Sequence, residues 1–99
     1  MPKFGTPYSI LTADRKLSNA ELIRSLRFNI AAEYEAVQFY QEVMECTDNL
    51  LVKTVLKDIA DEELHHAGEL IKLLITLSPE ESKHYADGAK EVEEMEKEL

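Results

Sequence analysis

Two glutamates and a histidine interrupt apolar stripes in the sequence, and their spacing is typical of metal ligands. Glu33 is three residues after Ile30 and four before Val37, which places its carboxylate on the apolar face of a helix. Glu63 and His66 are three residues apart, so one helical turn carries both. Carboxylates on a buried face each need a proton, a cation or a metal. A metal satisfies all three side chains together, so the pattern predicts a metal site.

A second glutamate and histidine with the same spacing overlap this pair, and helical periodicity separates the two pairs. The overlapping pair belongs to a continuous polar stripe, made of Asp58, Glu62, His65, Glu69 and Lys72. A polar stripe is typical of a solvent-facing surface. Glu63 and His66, which continue the apolar stripe, are therefore the predicted ligands.

The predicted ligands make half of a known type of metal site. A glutamate on one helix facing a Glu-x-x-His on another is half of the ligand set of a ferritin-like di-iron site. A second copy related by a two-fold axis must supply the other half. We therefore predict a dimer that forms a four-helix bundle around two metal ions. Carboxylate oxygens with one imidazole per metal suit iron or manganese better than zinc, and iron is the predicted cofactor.

Two further side chains are candidates for roles at this site. Tyr40 lies two turns after Glu33 on the same face, where its hydroxyl can orient a ligand, although it also fits a core aromatic. Glu35 lies about half a turn from Glu33 and either receives incoming cations or is an ordinary solvated side chain. The alternative for the whole group is a buried polar pair bridged by Tyr40 or water.

Three helices are predicted to position these residues, so the fold class is all-α. Of 3 Gly and 3 Pro, two prolines and one glycine fall in the first seven residues, and the rest is rich in strong helix formers. We predict an extended N-terminal arm over residues 1–17 and a ferritin-like helical domain over residues 18–99, with helices at about 18–46, 50–77 and 79–97. The first two form an antiparallel hairpin. The third has a thin apolar seam that suits a neighbouring subunit or a solvated tail.

Helix start and stop signals give these boundaries. Ser18 and Glu21 fit a capping box, and the short polar residues 47–49 fit a tight turn between two helices. Ser78 followed by a proline and by Glu81 fits a second capping box at the start of the third helix. The boundaries follow from local sequence alone.

Charge and cysteine content restrict the partners. A net charge of -9 argues against nucleic-acid phosphates and anionic membranes, and favours cations as ligands. No run approaches the length of a membrane span. Cys46 is the only cysteine, so no intrachain disulfide is expected and a cytoplasmic location is the prediction.

Residues 33–40 (EYEAVQFY) and 61–67 (DEELHHA) resemble the encapsulated ferritins, short ferritin-like proteins housed inside encapsulin shells. The resemblance covers about residues 18–95. It implies di-iron sites at a dimer interface, dimers arranged in a decameric ring, and an encapsulin shell protein as partner. It also implies ferroxidase activity, the oxidation of Fe(II) to Fe(III) by dioxygen, for iron storage and detoxification inside the nanocompartment.

The same resemblance implies residue roles by position. Glu33, Glu63 and His66 match the catalytic iron ligands, Tyr40 matches a tyrosine that supports them, and Glu35 matches one carboxylate of the site where metal enters. This sequence departs from the family at two places. Ala32 stands where a second uptake carboxylate can occur. Residues 96–99 carry no recognisable shell-docking peptide, which predicts a truncation or a domain joined to its shell protein.

Two other functions remain as alternatives. A rubrerythrin-like peroxidase generally adds a cysteine-rich iron site, which Cys46 alone cannot form. A non-catalytic helical module for metal binding or assembly is the other alternative. Oxygen consumption on addition of Fe(II) separates the three.

Overall fold

Three helices make up the part of the chain that the structure, a computed structural model, describes, residues 15–99. They are α1 (Asn19–Glu45), α2 (Leu50–Leu77) and α3 (Pro79–Lys97), and residues 15–99 contain no strand. The all-α prediction of a two-helix hairpin followed by a C-terminal helix is confirmed. Dimerisation and the division into arm and domain stay predictions, and most of the predicted arm, residues 1–14, lies outside the described residues. None of the three helices is both long and apolar enough to cross a membrane.

The two hairpin helices begin at side-chain caps. The Ser18 hydroxyl accepts from the Glu21 amide at 3.2 Å, and the Glu21 carboxylate accepts from the Ser18 amide at 2.9 Å, which is the predicted capping box. Hydrogen bonds from the Arg15 guanidinium to Glu21 help lower the pKa of that carboxyl to about 2. At the start of α2, the Asn49 side-chain oxygen accepts from the Val52 amide at 3.1 Å.

The core of the hairpin is a narrow strip between α1 and α2. Its buried apolar residues are Leu26, Ile30, Val37, Ala60, Ala67 and Leu74. The two alanines let the helix backbones approach closely, because their side chains fill little space. Several residues of the predicted apolar stripes remain more than a third exposed, namely Leu22, Val43, Val52, Val55 and Leu73. Two helices alone bury one strip each, so these residues form further apolar surface that nothing in the described chain covers.

Helix α3 is tied to the hairpin by an ion pair rather than by a buried face. Pro79 occupies its first turn, as predicted, but Ser78 makes no side-chain cap hydrogen bond, so the predicted capping box is wrong. The Glu81 carboxylate instead accepts from Arg27 of α1, with Nε to Oε1 at 3.1 Å, and from the Tyr85 hydroxyl. A guanidinium offers charged, bidentate donors, which outcompete one neutral amide for a carboxylate. No residue of α3 is buried.

We predict that acid releases α3 from the hairpin. The hydrogen bond from Arg27 lowers the pKa of Glu81 from its usual value of 4.5 to about 2. Because the folded pKa lies below the unfolded one, the stabilisation is complete above about pH 4.5 and disappears as pH falls towards 2. The backbone amide resonance of Tyr85 in an NMR pH titration is expected to report this loss.

Two neighbouring substitutions separate this pair from general acid effects. Glu81→Gln is expected to remove the titration between pH 4.5 and 2. Glu80→Gln is the matched control, because Glu80 is exposed and makes no ion pair within residues 15–99. An unchanged titration in Glu81→Gln contradicts the prediction.

Candidate metal centre

The antiparallel hairpin brings the three predicted ligands together. Glu33 lies close to the middle of the 27-residue α1, and Glu63 and His66 lie close to the middle of the 28-residue α2. His66 Nδ1 is 3.9 Å from Glu33 Oε2 and 3.7 Å from Glu63 Oε2. One donor atom from each residue lies within 4.8 Å of the others. Within residues 15–99 this is the one group of three or more His, Cys, Asp or Glu side chains with such geometry.

The spacing of these donor atoms suits a metal ion better than a hydrogen-bonded cluster. Separations of 3.7 and 3.9 Å are too long for hydrogen bonds between the imidazole and the carboxylates. Two donors on one ion lie roughly 3 Å apart when metal–ligand bonds are about 2.1 Å. Small side-chain rotations therefore suffice to bring all three donors onto one ion. Hard carboxylate oxygens with a single imidazole fit iron or manganese.

The group is open on one side. The side chains of Glu33 and Glu63 are 24% and 21% exposed, whereas that of His66 is 50% exposed. The hairpin thus supplies three donors and leaves the outer side uncovered. Iron and manganese accept more ligands than three, so a single chain offers an incomplete coordination shell.

A groove of about 450 Å³ adjoins the two carboxylates. It is lined by Ala32, Glu33, Glu35, Ala36, Phe39, Tyr40 and Glu63. Both predicted supporting residues, Glu35 and Tyr40, line this groove and so lie beside the three converging side chains. Glu35 is exposed and Tyr40 is half-buried. In the described part of the chain, the Tyr40 hydroxyl makes no hydrogen bond to Glu33 or Glu63. Their roles in orienting a ligand and in receiving cations stay predictions.

Phe39 is a groove residue that the sequence reasoning missed. Its side chain is 64% exposed and packs edge-on against Tyr40, with ring centroids 6.4 Å apart and an interplanar angle of 79°. The sequence did contain a signal for this role. Phe39 is a large aromatic residue that lies off the apolar stripe, six residues after Glu33. It gives the groove an apolar wall next to the charged group.

Glu62 and His65, the second pair with Glu-x-x-His spacing, face solvent, as helical periodicity predicts. The His65 side chain is 78% exposed, and its Nε2 lies 3.8 Å from Glu69 Oε1 on the following turn. Glu62 is also exposed. Neither Glu62 nor His65 belongs to the group of converging donors.

Comparisons with known sequences identify the family. Residues 25–99 match the sequence profile of the family described as Rubrerythrin. Over 84 residues the chain is 37% identical to the encapsulin nanocompartment cargo protein EncC of Myxococcus xanthus, covering 85% of this chain and 63% of that protein. Over 87 residues it is 32% identical to a ferritin-like–encapsulin shell fusion protein of Pyrococcus furiosus, covering 88% and 25% respectively. The chain therefore spans less than two thirds of each of these curated relatives.

A comparison with solved structures agrees. The crystal structure of the encapsulated ferritin domain from Pyrococcus furiosus matches with a TM-score of 0.83 and 31% identity, over 92% of this chain and 93% of that one. The resemblance to encapsulated ferritins drawn from residues 33–40 and 61–67 is confirmed. The chain belongs to the rubrerythrin family and has the fold of an encapsulated ferritin domain.

Proposed function

We propose that the protein is a ferroxidase that oxidises Fe(II) to Fe(III) with dioxygen at a di-iron site shared by two copies of the chain. The observation that carries the proposal is the convergence of Glu33, Glu63 and His66 within 4.8 Å on an open face of the hairpin. The rubrerythrin family typically binds iron, which supports iron as the metal.

The incomplete donor set supports a shared site. A second copy, related by a two-fold axis, brings its own two carboxylates and imidazole to the open side of the first. Two Fe(II) ions with four carboxylates then form a neutral group, which is the least costly charge state for a half-buried position. The two-fold axis also accounts for the use of only one Glu and one Glu-x-x-His per chain.

Fe(II) is the substrate, and the side chains bind it and favour its oxidation. Each Fe(II) gives up one electron, and one dioxygen takes up the electrons of two ions together with two protons from the solvent, which yields two Fe(III) and one hydrogen peroxide. The anionic oxygens of Glu33 and Glu63 stabilise the higher charge of Fe(III) more strongly than that of Fe(II).

The groove residues have separate roles in this proposal. Glu35 receives cations at the exposed end of the groove, and Tyr40 orients a carboxylate once both copies are in place. Fe(III) leaves for mineralisation elsewhere, since a helical hairpin encloses no storage cavity of its own. Because residue 32 is an alanine, the uptake path has a single carboxylate, that of Glu35.

The relatives suggest where the protein works. One relative is named an encapsulin nanocompartment cargo protein, and the other joins a ferritin-like domain to an encapsulin shell. We propose that this chain also works inside a cytoplasmic encapsulin nanocompartment, with the shell protein as partner and with its dimers in a decameric ring. A shell supplies the storage volume that the hairpin lacks.

Oxygen uptake tests the activity. Protein loaded with Fe(II) without oxygen, then mixed with aerated buffer, is expected to consume dioxygen faster than Fe(II) in buffer. Glu33→Ala removes one metal donor and is expected to slow dioxygen consumption about tenfold or more. Loss of a group that supports a metal ligand already has an effect of about this size. Glu42→Ala, an exposed glutamate on the same helix outside the group, is the matched control.

The same experiment separates the alternative functions. Protein that binds iron but oxidises it no faster than buffer contradicts the ferroxidase and supports a metal-binding module. Match to the Rubrerythrin profile keeps a peroxidase as the second candidate. Oxidation that requires added hydrogen peroxide and ignores dioxygen identifies that activity.

A further inference from the structure

Asn29 is an amide side chain on the side of α1 that carries Glu33, which we call the metal face. It lies four residues before Glu33, and a helix turns about 100° per residue, so Asn29 points within about 40° of Glu33 and about 20° of Tyr40. The same face carries Leu22 and Val43, which are apolar and more than a third exposed. Asn29 is therefore a polar residue on a largely apolar surface.

Neither Asn29 nor Tyr40 uses its polar group within residues 15–99. Asn29 is exposed and its side chain takes part in no hydrogen bond there. The Tyr40 hydroxyl likewise has no hydrogen-bond partner in that part of the chain. A second copy seated on the metal face removes both groups from water. Burial of an amide or a hydroxyl is costly unless the group is hydrogen-bonded, so each needs a partner in the pair.

The direction of the two-fold axis decides which residues meet. An axis perpendicular to the helices sets α1 against an antiparallel α1 of the other copy and places the two α3 helices at opposite ends. An axis along the helices sets α1 against α2 of the other copy and brings both α3 helices to one end. Residues 91–98 contain five glutamates and one lysine, so two α3 helices at one end repel each other. The perpendicular axis is therefore favoured.

With a perpendicular axis at the level of Glu33, Asn29 lies at the same height as Tyr40 of the other copy. A helix rises about 1.5 Å per residue, so Asn29 is about 6 Å from the axis and the Tyr40 backbone about 10.5 Å. In an antiparallel pair, residues before Glu33 in one copy lie beside residues after Glu33 in the other. Aromatic side chains in helices lean over the preceding turn, about 5 Å towards the N-terminus, which brings the Tyr40 ring beside Asn29.

Small residues leave room for this contact. Ala36 lies one turn before Tyr40, and both residues line the groove next to the metal centre. The short side chain of Ala36 allows α1 of the other copy to approach closely. A leucine or phenylalanine at this position fills the space that an incoming amide needs.

We propose that Asn29 of each copy donates a hydrogen bond from its side-chain amide to the Tyr40 hydroxyl oxygen of the other copy, and thereby positions Tyr40 at the metal centre. The inference rests on the shared di-iron site proposed above. A hydroxyl oxygen that accepts from an amide turns its own hydrogen away from that donor. The Tyr40 hydrogen is then directed towards the carboxylates of the metal centre. Asn29 is a positioning residue, because it acts through Tyr40 and touches neither iron nor dioxygen.

A double-mutant cycle tests whether Asn29 acts through Tyr40. Asn29→Leu keeps the approximate size and removes the amide, and it is expected to slow Fe(II)-dependent dioxygen uptake about three- to tenfold, the effect of one hydrogen bond. In a Tyr40→Phe background the same change is expected to add less than about twofold, because the acceptor is already absent. Asn29→Gln, which keeps the amide, is expected to retain more of the rate than Asn29→Leu.

Metal binding gives a second readout for the same cycle, and Gln38 supplies the control. In calorimetric titration with Mn(II), Asn29→Leu and Tyr40→Phe are expected to weaken binding by similar factors, and the double variant by no more than either. Gln38→Leu removes an amide from the opposite side of α1, nine residues and about 180° from Asn29, and is expected to change neither readout.

Mixed assemblies test whether the hydrogen bond crosses the two-fold axis. Asn29→Leu and Tyr40→Phe chains are co-expressed with different affinity tags and purified through both tags. In a mixed pair, Asn29 of the Tyr40→Phe chain still meets Tyr40 of the Asn29→Leu chain, so one of the two contacts is intact. Mixed assemblies are therefore expected to take up dioxygen faster than the mean of the two variants. A hydrogen bond within one chain is absent from every mixed pair and gives no such recovery.

The outcomes separate this inference from the ferroxidase proposal. Wild-type protein that oxidises Fe(II) no faster than buffer overturns the proposed function and this inference with it. An active wild type combined with an unaffected Asn29→Leu, or with additive losses in the double variant, overturns the role of Asn29 alone. Mixed assemblies no faster than the mean of the two variants overturn the contact across the axis.

Discussion

Replacing both Glu63 and His66 with alanine is expected to abolish iron binding and to reduce iron oxidation by more than about a hundredfold. The change removes two of the three converging donors, and loss of groups that merely support metal ligands already costs about 10–100-fold. Calorimetric titration with Mn(II) measures binding without redox chemistry, and oxygen uptake with Fe(II) measures the reaction.

The control for this variant is one residue away in the sequence. Glu62→Ala/His65→Ala removes the same side-chain types from the same two turns of α2, but from its solvent face. Binding and oxidation are expected to stay within twofold of the wild type. Equal losses in the two double variants contradict the assignment of the ligands and indicate that α2 is merely sensitive to substitution there.

Metal binding is expected to raise the thermal unfolding temperature strongly and to enlarge the assembly. A ligand that binds only the folded state at about 100 times its Kd adds about 2.7 kcal/mol of stability. For a domain of this size that shifts Tm on the order of 10 °C or more. Because the ions of the proposed site bridge two copies, the mass in light scattering is expected to at least double on addition of Fe(II) without oxygen, at one ion per chain.

Glu33→Gln tests this coupling, since it keeps the shape of the side chain and removes its charge. Both the Tm shift and the increase in mass are expected to disappear in this variant. Glu42→Gln is expected to retain them. Metal that stabilises the chain without any change in mass indicates a site completed within one copy, which contradicts the shared di-iron centre.

The convergence of the Glu33, Glu63 and His66 side chains was predictable from the sequence because it depends on the local periodicity of each helix. The position of Glu33 between Ile30 and Val37 specifies its face on α1, and the three-residue step from Glu63 to His66 specifies one turn of α2. The tight turn makes α1 and α2 antiparallel neighbours. Because the two helices have nearly equal lengths, 27 and 28 residues, their midpoints lie side by side. No long-range information is needed for any of these steps.

The attachment of α3 was not predictable in the same way. Ser78 and Glu81 have the sequence of a capping box, but Glu81 pairs with Arg27, a residue 54 positions away. Its choice of partner depends on the angle at which α3 leaves the hairpin, and no short sequence pattern encodes that angle.

The packing of the hairpin was predicted in part. Leu26, Ile30 and Leu74 are buried as their stripes indicate, but Ala60 and Ala67 lie closer to the helix contact than larger neighbours such as Val55. Apolar periodicity gives the face of a helix but not which of two adjacent rows meets its partner. On α2 the buried row is Ala60, Ala67 and Leu74, so the two helices approach closely at the alanines and a leucine fills the space at the far end of the row.

The position of the metal group at the middle of both long helices affects how ions are exchanged. Terminal turns of helices fray readily, whereas central turns open only with most of the helix. Glu33, Glu63 and His66 lie several turns from the ends of α1 and α2, so fraying leaves their spacing unchanged. In the proposed shared site, turnover of bound ions would then proceed along the groove or by separation of the two copies. If the proposed site is correct, we expect the rate of iron exchange to depend on the lifetime of the dimer and the width of the groove rather than on local unfolding of α1 and α2.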